Sequence, residues 1–344
     1  MKYIILFIEL LLLNDFINIK KYISSILINN SKSNNFKINN IIKSNLQKHI
    51  YKKLNKNITS INSLIIKGQM RFGNYLIALN NAIIFCEFLG CKRLIIKNEL
   101  INHNIFYQRY NLTIESNYSF NYNDKDSMII HIYFFFFLTN FTDLGKVNRF
   151  DVFRKEILNN LPKVKINYDE LYIHIRGGDI FRNIPLYPYY AQPPLCYYKN
   201  ILNKFIFRKV IIISEDVLNP VISILLKEYP FIKYNKNNIK LDISYLVYSY
   251  NIISSKSTFL LGIIKLYRNL KFLWEYDFYL LSERYIHLHY SAYTFSFNYT
   301  IYKMNPSENY TKLMLPFYNS KKQINQMINE KCDINFSLIL PRFS

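Results

Sequence analysis

Residues Glu170 to Asp179, which read E-L-Y-I-H-I-R-G-G-D, combine a strand pattern with side chains that could bind a phosphate. Apolar residues alternate there with Tyr172, His174 and Arg176, which is the period of a β-strand, and two glycines then end the strand. His174 and Arg176 would share a face at the carboxyl end, where open α/β sheets bind ligands. The planar guanidinium of Arg176 matches phosphate oxygens and keeps its charge. The segment therefore predicts an anion site; a strand with one surface arginine and an ordinary Gly-Gly turn is the alternative.

A second candidate anion site lies near position 70. The pattern predicts a strand over Ser63–Lys67, a turn over G-Q-M-R-F-G, a helix from Asn74 to about Gly90, and a strand over Arg93–Ile96. Gly90 suits the end of that helix. Gly73 and Asn74 would then lie at a helix amino terminus, where free N–H groups favour anions. A plain N-cap at Asn74 accounts for the same spacing.

A third polar segment, Ser257-Thr258-Phe259, stands where a predicted strand gives way to a predicted helix. Hydroxyls and free N–H groups at that point can bind a phosphate. Helix capping explains Ser or Thr there equally well, so both interpretations stay open at this stage.

From residue 166 onward, strands alternate with helices of about ten residues. Such alternation is typical of a parallel, doubly wound α/β sheet that is covered on both faces. With the earlier unit it predicts two domains, residues 63–165 and 166–344, and no chemistry is identified beyond about residue 277. The expected strands are 128–137, 209–213, 231–234, 251–254 and 271–274, and the expected helices are 152–161, 196–205, 219–229, 241–249 and 257–267.

The amino terminus carries Lys2 and then about eleven mostly apolar residues. This length is short for a membrane span and typical of a signal peptide, so residues 1–20 are interpreted as a signal peptide or signal anchor. An ordinary buried helix is the alternative, and residues 21–62 read as a stem or poorly ordered lead-in. Eight N-x-S/T sequons weakly favour a secretory route and a glycoprotein. They begin at Asn29, Asn57, Asn111, Asn117, Asn140, Asn298, Asn309 and Asn335.

Two other sets of residues could bind a metal or cross-link the chain. The cysteines at positions 86, 91, 196 and 332 are too scattered for a zinc site, and in an oxidising lumen they could form two disulfides in three connectivities. Asp124 and Asp126 have the D-x-D spacing by which many sugar-nucleotide enzymes hold a divalent metal. They stand in a polar turn, so a solvated loop is preferred and no metal site is predicted.

The formal net charge of the chain is +21, although 50% of its residues are hydrophobic, which is enough for a folded core and argues against general disorder. The lysines are scattered among Asn, Ile and Tyr, a residue set that AT-rich codons produce. No basic stripe interleaved with aromatic residues is present, so nucleic acid is not an expected partner. An attraction for anionic donors or membrane surfaces is compatible with this charge.

Four segments resemble, in the same order, motifs of the α-1,2-fucosyltransferases and the protein O-fucosyltransferases. G-Q-M-R-F-G-N at 68–74 resembles their G-R-x-G-N-Q opening, and H-I-R-G-G-D at 174–179 resembles H-x-R-R-G-D. I-I-I-S-E-D at 211–216 is similar to their F-S-D-D strand end. Residues 241–259 resemble D-L-x-L-M-x-x-C-x-x-N-I-I-x-x-S-S-F. Each motif is weak alone, and their shared order over about Ile65 to Leu266 makes the resemblance specific.

The resemblance implies a GT-B fold, in which two Rossmann-like doubly wound domains face a cleft. It also implies transfer of fucose from GDP-fucose to a glycan hydroxyl, with inversion and without a metal ion or other cofactor. The first domain would then hold the acceptor and the second domain the donor. With the leader, the resemblance implies a Golgi or ER lumenal enzyme, either a single-pass type II membrane protein or secreted.

Carried over by position, Arg176 would pair with the donor β-phosphate, and Asp179, the other predicted catalytic residue, would brace the arginine loop. The remaining donor-binding residues that are expected are Gly73, Asn74, His174, Asp216, Asp242, Ser257, Thr258 and Phe259. Among these, Gly73 and Asn74 would reach the donor from the facing domain, and Asp242 would help to hold the nucleotide. The base that takes the acceptor proton is not identified, and Glu215 and Asp216 are candidates.

The chain also departs from the family pattern. Gly177 replaces the usual second arginine, Lys256 stands near a small polar position, and Leu260 and Leu261 replace aromatic residues. Two alternatives therefore remain beside transfer to a glycan. One is a protein O-fucosyltransferase that acts on Ser or Thr, and the other is an inactive relative that binds a glycan or a nucleotide.

Overall fold

The computed structural model describes residues 62–67, 72–96, 105–107, 111–116, 127–131, 151–182, 190–264, 266–276, 299–332 and 336–339. The chain divides into two compact units, and the division falls between Asn160 and Leu161. The sequence patterns had predicted a boundary at residue 165. The predicted leader, the lead-in up to residue 61, and Asp124 and Asp126 lie outside the described residues.

The first unit is built on a mainly parallel sheet whose strand order is β3-β4-β2-β1-β5. Only the β3–β4 pair among its described strands is antiparallel. Its strands are β1 (Ser63–Lys67), β2 (Arg93–Ile96), β3 (Ile105–Tyr107), β4 (Leu112–Ser116) and β5 (Ser127–His131), and its helices are α1 (Phe72–Leu89) and α2 (Asp151–Asn160).

Helix α1 is apolar over most of its circumference and is buried accordingly. The face that the sequence predicted is buried at Leu76, Leu79, Ile83 and Cys86. The helix ends as expected at Gly90, whose φ of 76° is a left-handed value that glycine adopts easily. The N–H groups of the two residues after the helix donate to carbonyls of its last turn, Gly90 to Glu87 and Cys91 to Cys86, which completes a Schellman motif.

The second unit contains a seven-stranded sheet of order β12-β11-β10-β9-β6-β7-β8, in which only β12 is antiparallel among the described strands. The strands are β6 (Glu170–His174), β7 (Lys209–Ile213), β8 (Ile232–Tyr234), β9 (Asn251–Ser254), β10 (Phe272–Tyr276), β11 (Thr300–Met304) and β12 (Phe336–Ile339). The helices are α3 (Leu195–Lys204), α4 (Pro220–Glu228), α5 (Ile239–Tyr248), α6 (Thr258–Ile264), α7 (Glu308–Met314) and α8 (Lys321–Asn329), and a 3-10 turn spans Gly178–Phe181.

The six parallel strands of this unit have the order of a Rossmann-type sheet. From β6 the chain moves outward through β7 to β8, then returns to the other side of β6 and moves outward through β9, β10 and β11. The reversal between β6 and β9 is the topological switch point, which is where open α/β sheets bind ligands. The predicted α/β class with parallel sheets is therefore confirmed.

Helices cover both faces of the second sheet, so the unit is doubly wound. On one face, α3, α4 and α8 contact one another, and their apolar residues pack with Leu171, Ile173 and Trp274. On the other face, α5 and α6 contact each other, and Tyr172 stacks on Tyr245 of α5. Because all five residues of β6 are buried, this strand is the centre of the core.

The region beyond residue 277 contributes more structure than its sequence predicted. It supplies β11, α7, α8 and β12, and a disulfide joins Cys196 in α3 to Cys332 after α8. This is one of the disulfides that the sequence allowed, while Cys86 and Cys91 are buried free thiols. No helix within the described ranges is long and apolar enough to span a bilayer.

The disulfide should make a large contribution to the stability of the second unit, because it closes a loop with a sequence separation of 136 residues. We expect the double variant Cys196→Ser/Cys332→Ser to lose about 3 to 5 kcal/mol of unfolding free energy, measured by urea denaturation. A thiol reductant should lower the wild-type midpoint to that of the variant and leave the variant unchanged. A wild-type midpoint that does not respond to reductant would contradict this assignment.

Candidate anion site at the sheet switch point

The loops that follow β6 and β9 are tied together by hydrogen bonds at the switch point. The backbone N–H of Arg176 donates to Ser255 Oγ at 2.8 Å, and the N–H of Ser255 donates to the carbonyl of His174 at 3.0 Å. On the other side, Asn219 Nδ2 donates to the carbonyl of Arg176 at 3.0 Å. The position of Arg176 is therefore fixed from both neighbouring strands.

The Arg176 side chain is largely buried, with 12% of it exposed. Its Nη2 donates to Asp179 Oδ1 at 2.8 Å, which is the brace that the sequence predicted. The ring of Tyr190 lies 5.9 Å from the guanidinium carbon, within the range of a cation–π contact. Nε is buried and has no hydrogen-bond acceptor among the described residues. A buried guanidinium N–H without a partner costs about 1 to 3 kcal/mol, so this atom suits an anionic ligand.

Asp216 shapes the Gly-Gly turn beside this arginine. Its Oδ1 accepts hydrogen bonds from the N–H groups of Gly178 at 3.0 Å and Leu218 at 3.1 Å. A Cβ atom at Gly177 would lie 2.5 Å from the same Oδ1, and Gly178 has a φ of 68°. A larger residue such as arginine therefore does not fit at position 177 unless Asp216 moves. Oδ1 of Asp216 thus holds the turn, and donor binding by Asp216 stays a prediction.

His174 supports the site without contributing charge. Its ring is buried, lies 5.5 Å from the Phe259 ring, and its Nδ1 is 3.2 Å from Ser255 Oγ. Burial, together with the positive charge of Arg176, lowers the pKa of His174 to about 3. The imidazole is consequently neutral at physiological pH. The ring packs against Phe259 of α6, and donor binding by His174 stays a prediction.

The segment that begins α6 is used first of all for capping. Ser257 is buried, and its Oγ accepts a hydrogen bond from the N–H of Phe259 at 3.1 Å. Thr258 is the first residue of the helix, and Phe259 packs its ring on His174. The capping interpretation of this segment is therefore confirmed, and its three residues lie directly after the carboxyl end of β9.

Asp242 lies in the first turn of α5, which follows the carboxyl end of β8. Burial raises the pKa of its carboxyl to about 6, although a hydrogen bond of 3.0 Å from Asn237 Nδ2 acts in the opposite direction. Tyr234, at the end of β8, has its pKa raised by burial and by the charges of Asp216 and Asp242. Tyr234 and Asp242 therefore lie at the carboxyl end of β8, on the same edge of the sheet as Arg176.

Gly73 and Asn74 belong to the first unit and lie in the first turn of α1. Because that helix begins at Phe72, Asn74 is its third residue, and the alternative that Asn74 is the N-cap is wrong. Gly73 is buried. Asn74 Oδ1 is also buried and has no hydrogen-bond donor among the described residues.

Sequence reasoning missed four residues of the site. Tyr190 and Ser255 contact Arg176, and Asn219 holds its carbonyl. Gln192 is fully buried and donates to the carbonyls of Tyr190 and Lys256. Only Asn219 had a readable signal, because Asn before Pro220 is typical of a helix start and the Asn219 side chain does cap α4. The other three act through contacts that are remote in the sequence.

Comparison with known proteins does not extend these observations: the sequence matches no protein-family model and no curated protein. In the described part of the chain, no three His, Cys, Asp or Glu side chains cluster as metal ligands would. The assignment of this site as an anion site is therefore supported by its geometry alone.

The packing of Gly177 against Asp216 can be tested with a double-mutant cycle. Gly177→Ala should lower the free energy of unfolding by about 1 to 3 kcal/mol, because the new methyl group displaces a carboxylate that accepts two hydrogen bonds. In an Asp216→Ala background the same change should cost much less. Urea denaturation of the four proteins measures both effects, and additive losses would contradict the contact.

The raised pKa of Asp242 predicts a specific dependence of stability on pH. Between the ordinary value of 3.8 and about 6, the folded state binds a proton that the unfolded state has released. The contribution of this carboxyl to the free energy of unfolding is therefore largest below pH 3.8. It is lost as the pH rises through about 6. Replacement by Asn removes this dependence. Between pH 4 and pH 7, the free energy of unfolding of Asp242→Asn should therefore rise relative to that of wild type by up to about 3 kcal/mol, measured by urea denaturation. Parallel stability curves would contradict the assignment.

Proposed function

We propose that the chain is a glycosyltransferase of the fucosyltransferase type, which moves fucose from GDP-fucose to a glycan hydroxyl with inversion. The observation that carries this proposal is Arg176: a largely buried guanidinium at the switch point, braced by one carboxylate, with Nε unpartnered among the described residues. A diphosphate is the kind of ligand that such a guanidinium binds best.

The proposed chemistry places Arg176 where negative charge develops. The bond between the anomeric carbon and the β-phosphate oxygen breaks, and its electron pair leaves with GDP. The acceptor oxygen bonds to the opposite face of the same carbon and loses its proton. A fixed cation at the leaving diphosphate stabilises this transition state more than the ground state. Arg176 would supply the charge that a metal supplies in other sugar-nucleotide enzymes.

The other residues would have supporting roles. Asp179, Ser255 and Asn219 keep the arginine in place, since each makes a direct hydrogen bond to it. Asp242 would hold part of the nucleotide. Glu215 is exposed, and its carboxylate lies against Gly178, so it is our candidate for the base that accepts the proton of the acceptor.

The wider setting of the enzyme belongs to the same proposal. The two units would form a GT-B arrangement, in which Gly73 and Asn74 reach the donor from the acceptor-binding domain. The disulfide between Cys196 and Cys332 is typical of oxidising compartments, which supports action in the Golgi or ER lumen. The leader would anchor or deliver the chain to that compartment.

One observation favours a second candidate function, an inactive relative that binds a nucleotide or a glycan. Gly177 stands where the family has an arginine, and Asp216 occupies the space beside it. A site with one cation in place of two could still bind GDP while stabilising the transition state too little for turnover. Binding without transfer to any acceptor would identify this alternative.

The proposal is tested by calorimetric titration of GDP and GDP-fucose in the presence of EDTA. Wild type should bind both, and Arg176→Ala should bind at least about a hundredfold more weakly, because it lacks the cation. Arg176→Lys should also bind poorly, since a point charge does not replace a planar fork.

The matched control is Arg208→Ala, which also removes one arginine from an ion pair in the second unit. Arg208 pairs with Asp169 and Glu170 just before β7, at the opposite edge of the sheet. Its loss should leave GDP affinity nearly unchanged. Equal weakening in both variants would mean that the effect is one of net charge, and no GDP binding by wild type would refute the proposal.

A further inference from the structure

The side-chain amide of Gln192 joins two loops at the anion site. This residue is fully buried, and its Nε2 donates to the carbonyl of Tyr190 at 2.9 Å and to the carbonyl of Lys256 at 3.3 Å. Tyr190 precedes α3, and Lys256 follows β9. One amide group thus connects the loops that leave the two strands of the switch point.

The two residues that provide these carbonyls, Tyr190 and Lys256, lie next to Arg176 and Ser257 respectively. Tyr190 has its ring over the Arg176 guanidinium, and Lys256 directly precedes Ser257, which caps α6. The backbone of Gln192 is itself held, because Tyr310 in α7 donates its hydroxyl proton to the Gln192 carbonyl at 2.8 Å. Through this bond and the amide, α7 helps to hold the segment that carries the Tyr190 ring beside Arg176.

Stability alone does not account for an amide at this position. Gln192 Oε1 is buried and has no hydrogen-bond donor among the described residues, which is unfavourable compared with an apolar side chain of the same size. The two bonds that Nε2 donates must therefore serve a purpose that offsets the cost of the buried Oε1, unpartnered within the described residues.

We propose that Gln192 is a positioning residue of the anion site, which keeps the Tyr190 ring over Arg176 and the turn at Lys256 in place for a diphosphate ligand. This inference rests on the proposed function, because it explains how the same site is kept in shape for its diphosphate ligand. Gln192 itself does not touch the ligand. Without the Gln192 amide, the Tyr190 carbonyl loses a hydrogen bond, and the Tyr190 ring is no longer held in one position over Arg176.

The chain offers a matched control in Gln323. This glutamine is also buried, and its Nε2 also donates to two carbonyls, of Leu313 at 3.0 Å and Pro316 at 2.7 Å, in a part of the unit remote from the switch point along the chain. Gln192→Met and Gln323→Met each remove two bonds from an amide to carbonyls with little change in volume. Gln323→Met also removes the bonds that Gln323 Oε1 accepts from the N–H groups of Tyr318 and Ser320. Gln323→Met should lower the midpoint of urea unfolding by more than Gln192→Met, because Gln192 Oε1 is buried without a donor among the described residues, so its loss costs no accepted bond.

The two variants should differ in anion binding, which a purely structural role would not change. Calorimetric titration with inorganic pyrophosphate, and then with GDP, should show about tenfold weaker binding for Gln192→Met and a change within about twofold for Gln323→Met. Equal affinities of the two variants would overturn the inference, and so would a wild-type chain that binds no pyrophosphate. A chain that binds pyrophosphate but not GDP-fucose would refute the proposed donor and leave the Gln192 inference standing.

A second variant keeps the inference testable if Gln192→Met does not fold. Tyr190→Leu retains both amide bonds, because they end on backbone carbonyls, and removes only the ring over Arg176. It should also weaken pyrophosphate binding, and in the double variant the two losses should be less than multiplicative. Unchanged affinity in Tyr190→Leu would overturn the inference.

Discussion

The need to compensate a buried positive charge determines most of what surrounds Arg176. A guanidinium that is removed from water must have a carboxylate and further hydrogen-bond partners nearby. Asp179 supplies the carboxylate at 2.8 Å, and the 3-10 turn that begins at Gly178 brings it back toward the arginine. The left-handed φ of Gly178 and the hydrogen bond from its N–H to Asp216 both stabilise that turn. The ion pair therefore depends on residues from the neighbouring strand β7.

The scaffold that makes this possible is the parallel sheet, and its strands were readable from sequence. The predicted bounds of Ser63–Lys67, Arg93–Ile96, Lys209–Ile213 and Asn251–Ser254 agree with the structure, because buried parallel strands are short apolar runs with clear ends. Helix ends differ by one to three residues, since caps decide them locally. The carboxyl-terminal elements were missed because β11 and β12 mix polar and apolar residues and have weak turn signals.

The candidate site was predictable only in part, for a physical reason. Arg176 and Asp179 are close in sequence, so a motif can reveal their pair. Asp216 meets Gly178 from 38 residues away, Ser255 meets the Arg176 amide from 79, and Gln192 meets Lys256 from 64. Such contacts depend on strand order, which local patterns do not specify. The glycine at position 177 is likewise explained by a contact remote in sequence, because Asp216 occupies the adjoining space.

The span of the disulfide has a consequence for how the second unit is made. Cys196 lies near the start of the second unit, whereas Cys332 follows β7 to β11 and α8. The correct cross-link therefore cannot form on the ribosome-bound chain until nearly all of the sheet has been translated. During that interval Cys196 lacks its disulfide partner and is open to thiol–disulfide exchange with other thiols. Closure of this bond is thus a chemical marker that separates complete from incomplete second units.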